Sequence, residues 1–202
     1  MAFWGENYNN TEFKDPKRKF RFLVQIAGLN NPSVSKSSVT TSDMWFAKTC
    51  TRPAFSINTA EHNYLNHKFY YPGTLTWEPI TITFADPQDP DAALLISNII
   101  NGANGAGYKV PNTVSQLETM SKAKSVSALG GVQIKTLNAD GETVEQWDLY
   151  NAFITDVKYG DLAYGDDELI EMSITLRYDW AKIEQVEGGS QSFFDGEATA
   201  TS

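Results

Sequence analysis

His62 and His67 are the only two histidines of the chain, and Cys50 is its only cysteine. A metal site needs ligands on one face, with further cysteine or acid ligands close by. Glu61 adjoins His62, but the spacing matches no metal signature. Cys50 closes a short strand pattern and reads as a small buried hydrophobe. Neither histidine is near it in sequence to act as its base. Carboxylates cluster at Asp86, Asp89 and Asp91 and again at Asp166-Asp167-Glu168. A glycosidase would hold two of them across a cleft. Asp89 instead reads as a helix cap, and the 166–168 run as a solvated turn. Gly102, Gly105 and Gly107 follow no strand and lack the Gly-Lys-Ser/Thr of a phosphate loop. The expectation is no catalytic residue, no cofactor and no metal, hence a structural or binding role.

The elements that must position these residues are mostly strands. In Thr76–Phe84, Trp77 leads, and Ile80, Ile82 and Phe84 point one way while Thr81 and Thr83 point the other, which is period two. After Asp89 the period changes: Ala92, Leu95, Ile96, Ile99 and Ile100 form one face of a helix. Asp89 suits its N-cap, Pro90 its first position and Gly102 its exit, giving a helix over 90–101. Phe20–Ile26, Trp45–Cys50, Gly131–Leu137, Thr143–Tyr150 and Ala152–Tyr159 read as strands. Asp140-Gly141 turns the third of these into the fourth. Leu169–Ala181 reads as the longest strand, with Ile170, Met172, Ile174, Leu176, Tyr178 and Trp180 inward. Asn112–Lys124 is a second helix candidate. Gly28–Asp43 reads as a long loop, 102–107 as a mobile glycine-rich link, 1–19 as an arm and 184–202 as a flexible acidic tail. The 51–73 segment is long and aromatic with little periodicity. Its aromatics fit either a protein contact or the core of a hairpin. About seven strands and at least one helix give an α+β, mainly β domain over 20–183: an antiparallel β-barrel or sandwich flanked by an α-helix.

With 41% hydrophobic and 12% aromatic residues, the 202-residue chain has the means to bury a core. No apolar run approaches the length of a membrane span, and MAFWGENYNN lacks the pattern of a secretory signal. A single cysteine suits a reducing compartment. The net charge of −9 disfavours non-specific binding to phosphates. It is also uneven: Lys14–Lys19, Arg21, Lys36, Lys48 and Arg52 make the first 60 residues basic, and the remainder is acidic. Such a molecule can attract copies of itself, although two solvated faces would carry the same pattern.

The stretch Trp77-Glu78-Pro79-Ile80-Thr81-Ile82-Thr83-Phe84 before a helix, and the final Tyr178-Asp179-Trp180-Ala181, resemble the tail tube proteins of contractile-tailed bacteriophages over roughly residues 18–183. The resemblance implies a small β-barrel or sandwich whose six copies form a ring by joining sheets edge to edge. Stacked rings would make the inner tube of a contractile tail, related in architecture to the type VI secretion tube. The implied partners are the chain itself, the tail sheath protein, the baseplate tube initiator, the tape measure protein and genomic DNA passing through unbound. No membrane insertion is implied. The implied location is the virion tail, assembled in the host cytoplasm. The 51–73 segment would be a projecting hairpin that contacts the next ring, with Phe55, Tyr64, Phe69, Tyr70 and Tyr71 as contact candidates. Glu171 and Asp179 are candidates for an acidic lumen that repels DNA. The competing readings are a baseplate tube initiator, a tail terminator, a secretion-system tube, and a carbohydrate-binding β-sandwich or hydrolase using Tyr70 and Tyr71.

Overall fold

The computed structural model describes residues 16–29, 46–88, 91–101, 105–109, 119–165, 167–185 and 191–192. The strands are β1 (Phe22–Ile26), β2 (Ala47–Cys50), β3 (Phe55–Tyr64), β4 (His67–Trp77), β5 (Ile80–Ala85), β6 (Val132–Leu137), β7 (Thr143–Tyr150), β8 (Phe153–Lys158), β9 (Glu171–Arg177), β10 (Trp180–Gln185) and β11 (Gln191–Ser192). The helices α1 (Ala92–Asn101) and α2 (Lys122–Leu129) fall between β5 and β6.

Two sheets face each other across one core. One runs β1-β6-β7-β10-β11, the other β2-β5-β9-β8. Val24, Ile26, Ile134 and Leu149 enter the core from the first, and Ile80, Ile82, Phe84, Met172, Ile174 and Leu176 from the second. Both sets alternate with more exposed residues, as a strand with one buried face must. No described strand belongs to both sheets, so the barrel is not closed and the fold is a sandwich. Ala92, Leu95, Ile96 and Ile99 lay the apolar face of α1 on the same core. Strands β3 and β4 form a third, two-stranded sheet by themselves.

Several boundaries differ from the sequence reading, each for a physical reason. The run Thr76–Phe84 is split: β4 ends at Trp77 and β5 begins at Ile80, because Pro79 cannot donate to a ladder. Helix α1 is started by Asp91, whose Oδ1 accepts the Leu94 amide at 2.8 Å, and by Asp86, whose Oδ1 accepts the Ala92 amide at 3.2 Å. The cap assigned to Asp89, with Pro90 and Gly102, lies outside the described residues. Past the helix, Ala106 and Gly107 are buried, and the Ala106 amide donates to the Ile99 carbonyl at 2.8 Å, so this part of the glycine-rich link is packed. Helix α2 begins at Lys122, with Ser121 as its N-cap; residues 112–118 of the Asn112–Lys124 candidate lie outside the described residues. Phe20 is 74% exposed and precedes β1, with the Arg21 guanidinium over its ring. Trp45 lies outside the described residues.

The largest difference concerns Leu169–Ala181. It is two strands in two sheets, β9 and β10, with a corner at Tyr178-Asp179. The Asp179 amide donates to the Tyr150 carbonyl at 3.0 Å. Its carboxylate accepts from Lys122 Nζ at 2.7 Å and Asn151 Nδ2 at 2.8 Å, pinning the corner. Met172, Ile174, Leu176 and Tyr178 are buried as expected. Ile170 and Trp180 are exposed, and Trp180 stacks on Tyr150 with ring centroids 5.5 Å apart. Strand β10 then runs through Glu184 and Gln185, into what the sequence suggested was a tail. The expected β6–β7 hairpin forms as read: Asn138 Oδ1 accepts the Asp140 and Glu142 amides, and Gly141 takes φ +85°.

Candidate functional site

The 51–73 segment is a hairpin, and it leaves the body of the protein. Every residue of β3, and of β4 up to Trp77, is exposed. Its root is an aromatic chain. Phe55 meets Trp77 edge to face with centroids 5.2 Å apart, and Trp77 in turn lies 5.8 Å from Tyr178 of the core. The Glu78 amide also donates to the Ala54 carbonyl at 2.8 Å. The hairpin thus has a fixed base and a free shaft.

Cross-strand partners share a face of a ladder. Phe55 pairs with Trp77 and Ile57 with Leu75, so the root carries one apolar face. The register then shifts between Ile57 and Thr59, where β4 supplies an extra residue. At this bulge a Cβ on Gly73 would stand 2.9 Å from the Asn58 carbonyl oxygen, so the close approach favours glycine. Beyond it, Ala60 pairs with Tyr71, His62 with Phe69 and Tyr64 with His67. These form an aromatic face near the tip, on the side opposite the apolar root. Tyr70 pairs with Glu61 on the other side, beside the Lys68–Glu61 ion pair at 2.8 Å. Leu65, 88% exposed with φ +52°, leads the tip.

Of the five contact candidates, the fold therefore gathers Tyr64, Phe69 and Tyr71 on one face. Phe55 is placed at the root, and Tyr70 faces away from the other three. All five are exposed, so the core-hairpin reading of their aromatics does not hold. The sequence reading missed Ile57 and Leu75. It also missed that both histidines join the tip face, with His67 edge-on to Phe69 at 4.8 Å. The signal for these was strand alternation, hidden by the bulge.

Glu171 and Asp179 are not brought together. Glu171 opens β9 opposite Ala85 and is ion-paired with Lys48. Asp179 occupies the corner between β9, which ends at Arg177, and β10, which begins at Trp180. The hydrogen bonds from Lys122 and Asn151 hold its carboxyl below the usual 3.8.

A polar site that sequence reasoning did not find lies inside the sandwich edge. Glu145 of β7 is 4% exposed, in phase with Trp147 and the buried Leu149. Lys17 and Arg52 both pair with its carboxylate, and Trp147 Nε1 donates to Oε1 at 2.8 Å. Burial pushes this carboxyl up, but the Lys17 and Trp147 hydrogen bonds and the Arg52 and Lys17 charges outweigh it and hold it below 4.5. A buried carboxylate is costly unless it is paired in this way. The arrangement ties the segment before β1 and the entry to the hairpin to the first sheet. It presents no second reacting group. Among the described residues, no group of three or more His, Cys, Asp or Glu lies close enough to hold a metal, and no helix is long and apolar enough to cross a membrane.

Compared with known proteins, residues 18–182 match the family model described as T4-like virus tail tube protein gp19. Among solved structures, a chain of the anti-feeding prophage cap, described as the AFP tube terminating cap, superposes with a TM-score of 0.58 at 16% identity, covering 90% of this chain and 99% of that one. A chain of the PVC sheath-tube complex, an extracellular contractile injection system in its extended state, gives 0.56 at 17% identity, covering 85% and 93%. At these identities the likeness establishes the fold. No curated protein matches the chain significantly.

Proposed function

The chain belongs to the T4-like virus tail tube protein family, and from that premise we propose that it forms six-membered rings that stack into the inner tube of a contractile phage tail. The observation that carries this is the hairpin. An isolated subunit presents Ile57, Leu65, Phe69 and Tyr71 to water on a shaft with no core of its own. Apolar surface held out in this way marks a protein contact. In a stack, the aromatic tip face of Tyr64, Phe69 and Tyr71 docks on the next ring, with Phe55 and Tyr70 contributing from the root and the opposite face.

Ring closure is assigned to the edges of the four-stranded sheet. Among the described residues, β2 pairs only with β5 and β8 only with β9. Open edges invite strand pairing, and a closed ring removes them. A head-to-tail contact whose rotation closes gives a ring, and repetition along the axis gives a tube. Glu171, with Thr81, Thr83, Ser173 and Thr175 on the outward face of this sheet, is the candidate lumen surface. Asp179, at the corner, contributes to it less directly.

The partners in this reading are further copies, the sheath, the baseplate tube initiator, the tape measure protein and DNA in transit, all in the virion tail. The test is negative-stain electron microscopy of the purified chain over a range of concentrations. Six-fold rings or hollow tubes support the reading. A monomer that persists even with a baseplate template, or one that binds glycans, sinks it.

A further inference from the structure

Strands β1 and β2 are edge strands of the two large sheets, and a groove runs where they lie side by side. Six cations line it: Lys17, Arg18, Lys19, Arg21, Lys48 and Arg52. Its floor is apolar, with Phe22 and Ile134. Among the carboxylates that face it are Glu145, toward Lys17 and Arg52, and Glu171, toward Lys48. Lys19 stands exposed at the rim.

A loop that starts from the other edge of the four-stranded sheet has the complementary character. Strand β8 is that edge, and between β8 and β9 the described residues 159–165 and 167–170 form a loop. Leu162 is 83% exposed, Leu169 79%, and Tyr164 is fully exposed. Asp161, Asp167 and Glu168 stand among them. Within one subunit the base of this loop reaches the groove, since Glu171 pairs with Lys48 and Glu168 acts on it electrostatically. The tip at Leu162 and Tyr164 is left uncovered. The uncovered tip of an acidic apolar loop and a basic groove with an apolar floor are the two halves of a heterologous contact.

We propose that the 159–170 loop of one copy docks into the β1–β2 groove of the next, Leu162 and Tyr164 covering the floor and Asp161 and Asp167 meeting the cations. This rests on the ring reading above. It fixes the direction of the ring, because each subunit gives its loop from the β8 side and receives one on the β2 side.

The test uses the full chain with Cys50→Ser, which removes the only native thiol. One preparation carries Lys19→Cys and a second, with an affinity tag, carries Leu162→Cys. Both are checked by thermal melting and by microscopy for tubes, mixed, assembled and oxidised. The expected result is a disulfide-linked heterodimer at least tenfold over either homodimer. With both cysteines in one chain, a ladder extending to ring size is expected. In parallel, Lys19→Glu raises the concentration needed for assembly about tenfold or more, and adding Asp161→Lys restores it. Tubes without a cross-link, a cross-link only within single chains, or no rescue by the swap would overturn this contact and leave the tube reading standing. The same holds if a DNA oligonucleotide occupies the groove, protects Lys19→Cys and leaves assembly unchanged. Failure of the unsubstituted chain to assemble on any template would overturn both.

Discussion

Trp147 donates its indole N–H to Glu145 two residues back on the same strand, at 2.8 Å, so that an aromatic ring and a buried carboxylate share one face of β7. Lys17 and Arg52 complete the charge balance of that carboxylate.

Glu145→Gln removes the charge while keeping an acceptor for Trp147. Lys17 and Arg52 are about half exposed and can turn to water, so the cost is about 1–2 kcal/mol, below that of a fully buried broken pair. The pH dependence follows from the sign of the shift. The folded-state carboxyl is held below its ordinary 4.5, so its stabilisation is complete above that value and is lost as pH falls through the lower folded value. Urea unfolding monitored by tryptophan fluorescence at pH 7, 5 and 3.5 should show wild-type stability falling at the acid end. Glu145→Gln should show a smaller fall. An equal fall in both would remove Glu145 from the acid response.

The hairpin separates stability from assembly. Tyr64, Phe69 and Tyr71 are exposed in the subunit, so replacing all three by Ser should move the melting temperature little, each change being within about 0.5 kcal/mol. If they anchor the ring contact, each is worth about 2 kcal/mol or more there. Sedimentation velocity should then show tubes replaced by rings or monomers at concentrations where wild type is fully stacked. Intact tubes from the triple variant would move the inter-ring contact elsewhere.

Gly73→Val tests the aim of the shaft. Its Cβ would meet the Asn58 carbonyl at 2.9 Å, forcing the bulge to open and turning the aromatic face away from its present direction. Loss of stacking with an unchanged melt is expected. Normal tubes would show that the bulge has no role in aiming the tip.

Burial pushes the Cys50 thiol up to about 12. The thiolate is the reactive form, so at pH 8 the native protein should react with a disulfide reagent at least on the order of a hundredfold slower than the urea-unfolded chain. A fast reaction in the folded state would place Cys50 in an open conformation instead.

Charge complementarity between subunits predicts a salt effect. Screening shortens from about 10 Å at 0.1 M to about 3 Å at 1 M, so assembly followed by light scattering should slow across that range. Unchanged kinetics would leave strand pairing and apolar contacts in control.

Alternation and periodicity in the sequence determined the core of this protein. Ile80, Ile82 and Phe84, the Ala92–Ile99 helix face, the β6–β7 hairpin and the inward residues of β9 were all legible, because burial of one face imposes period two or 3.6 on the residues themselves. The tail tube resemblance was legible in the same segments. Tertiary structure alone decided three things. The alternation of Leu169–Ala181 continues without a break through Tyr178-Asp179, yet Lys122 and Asn151, distant in sequence, turn the chain there into another sheet. Glu145 looks like any strand acid until Lys17 and Arg52 converge on it. The hairpin aromatics fit a core or a contact equally well on composition. Only their exposure among the described residues, and the one-residue bulge that sorts Tyr64, Phe69 and Tyr71 from Tyr70, made them a surface. Such outcomes depend on pairings between distant residues, which local patterns do not encode.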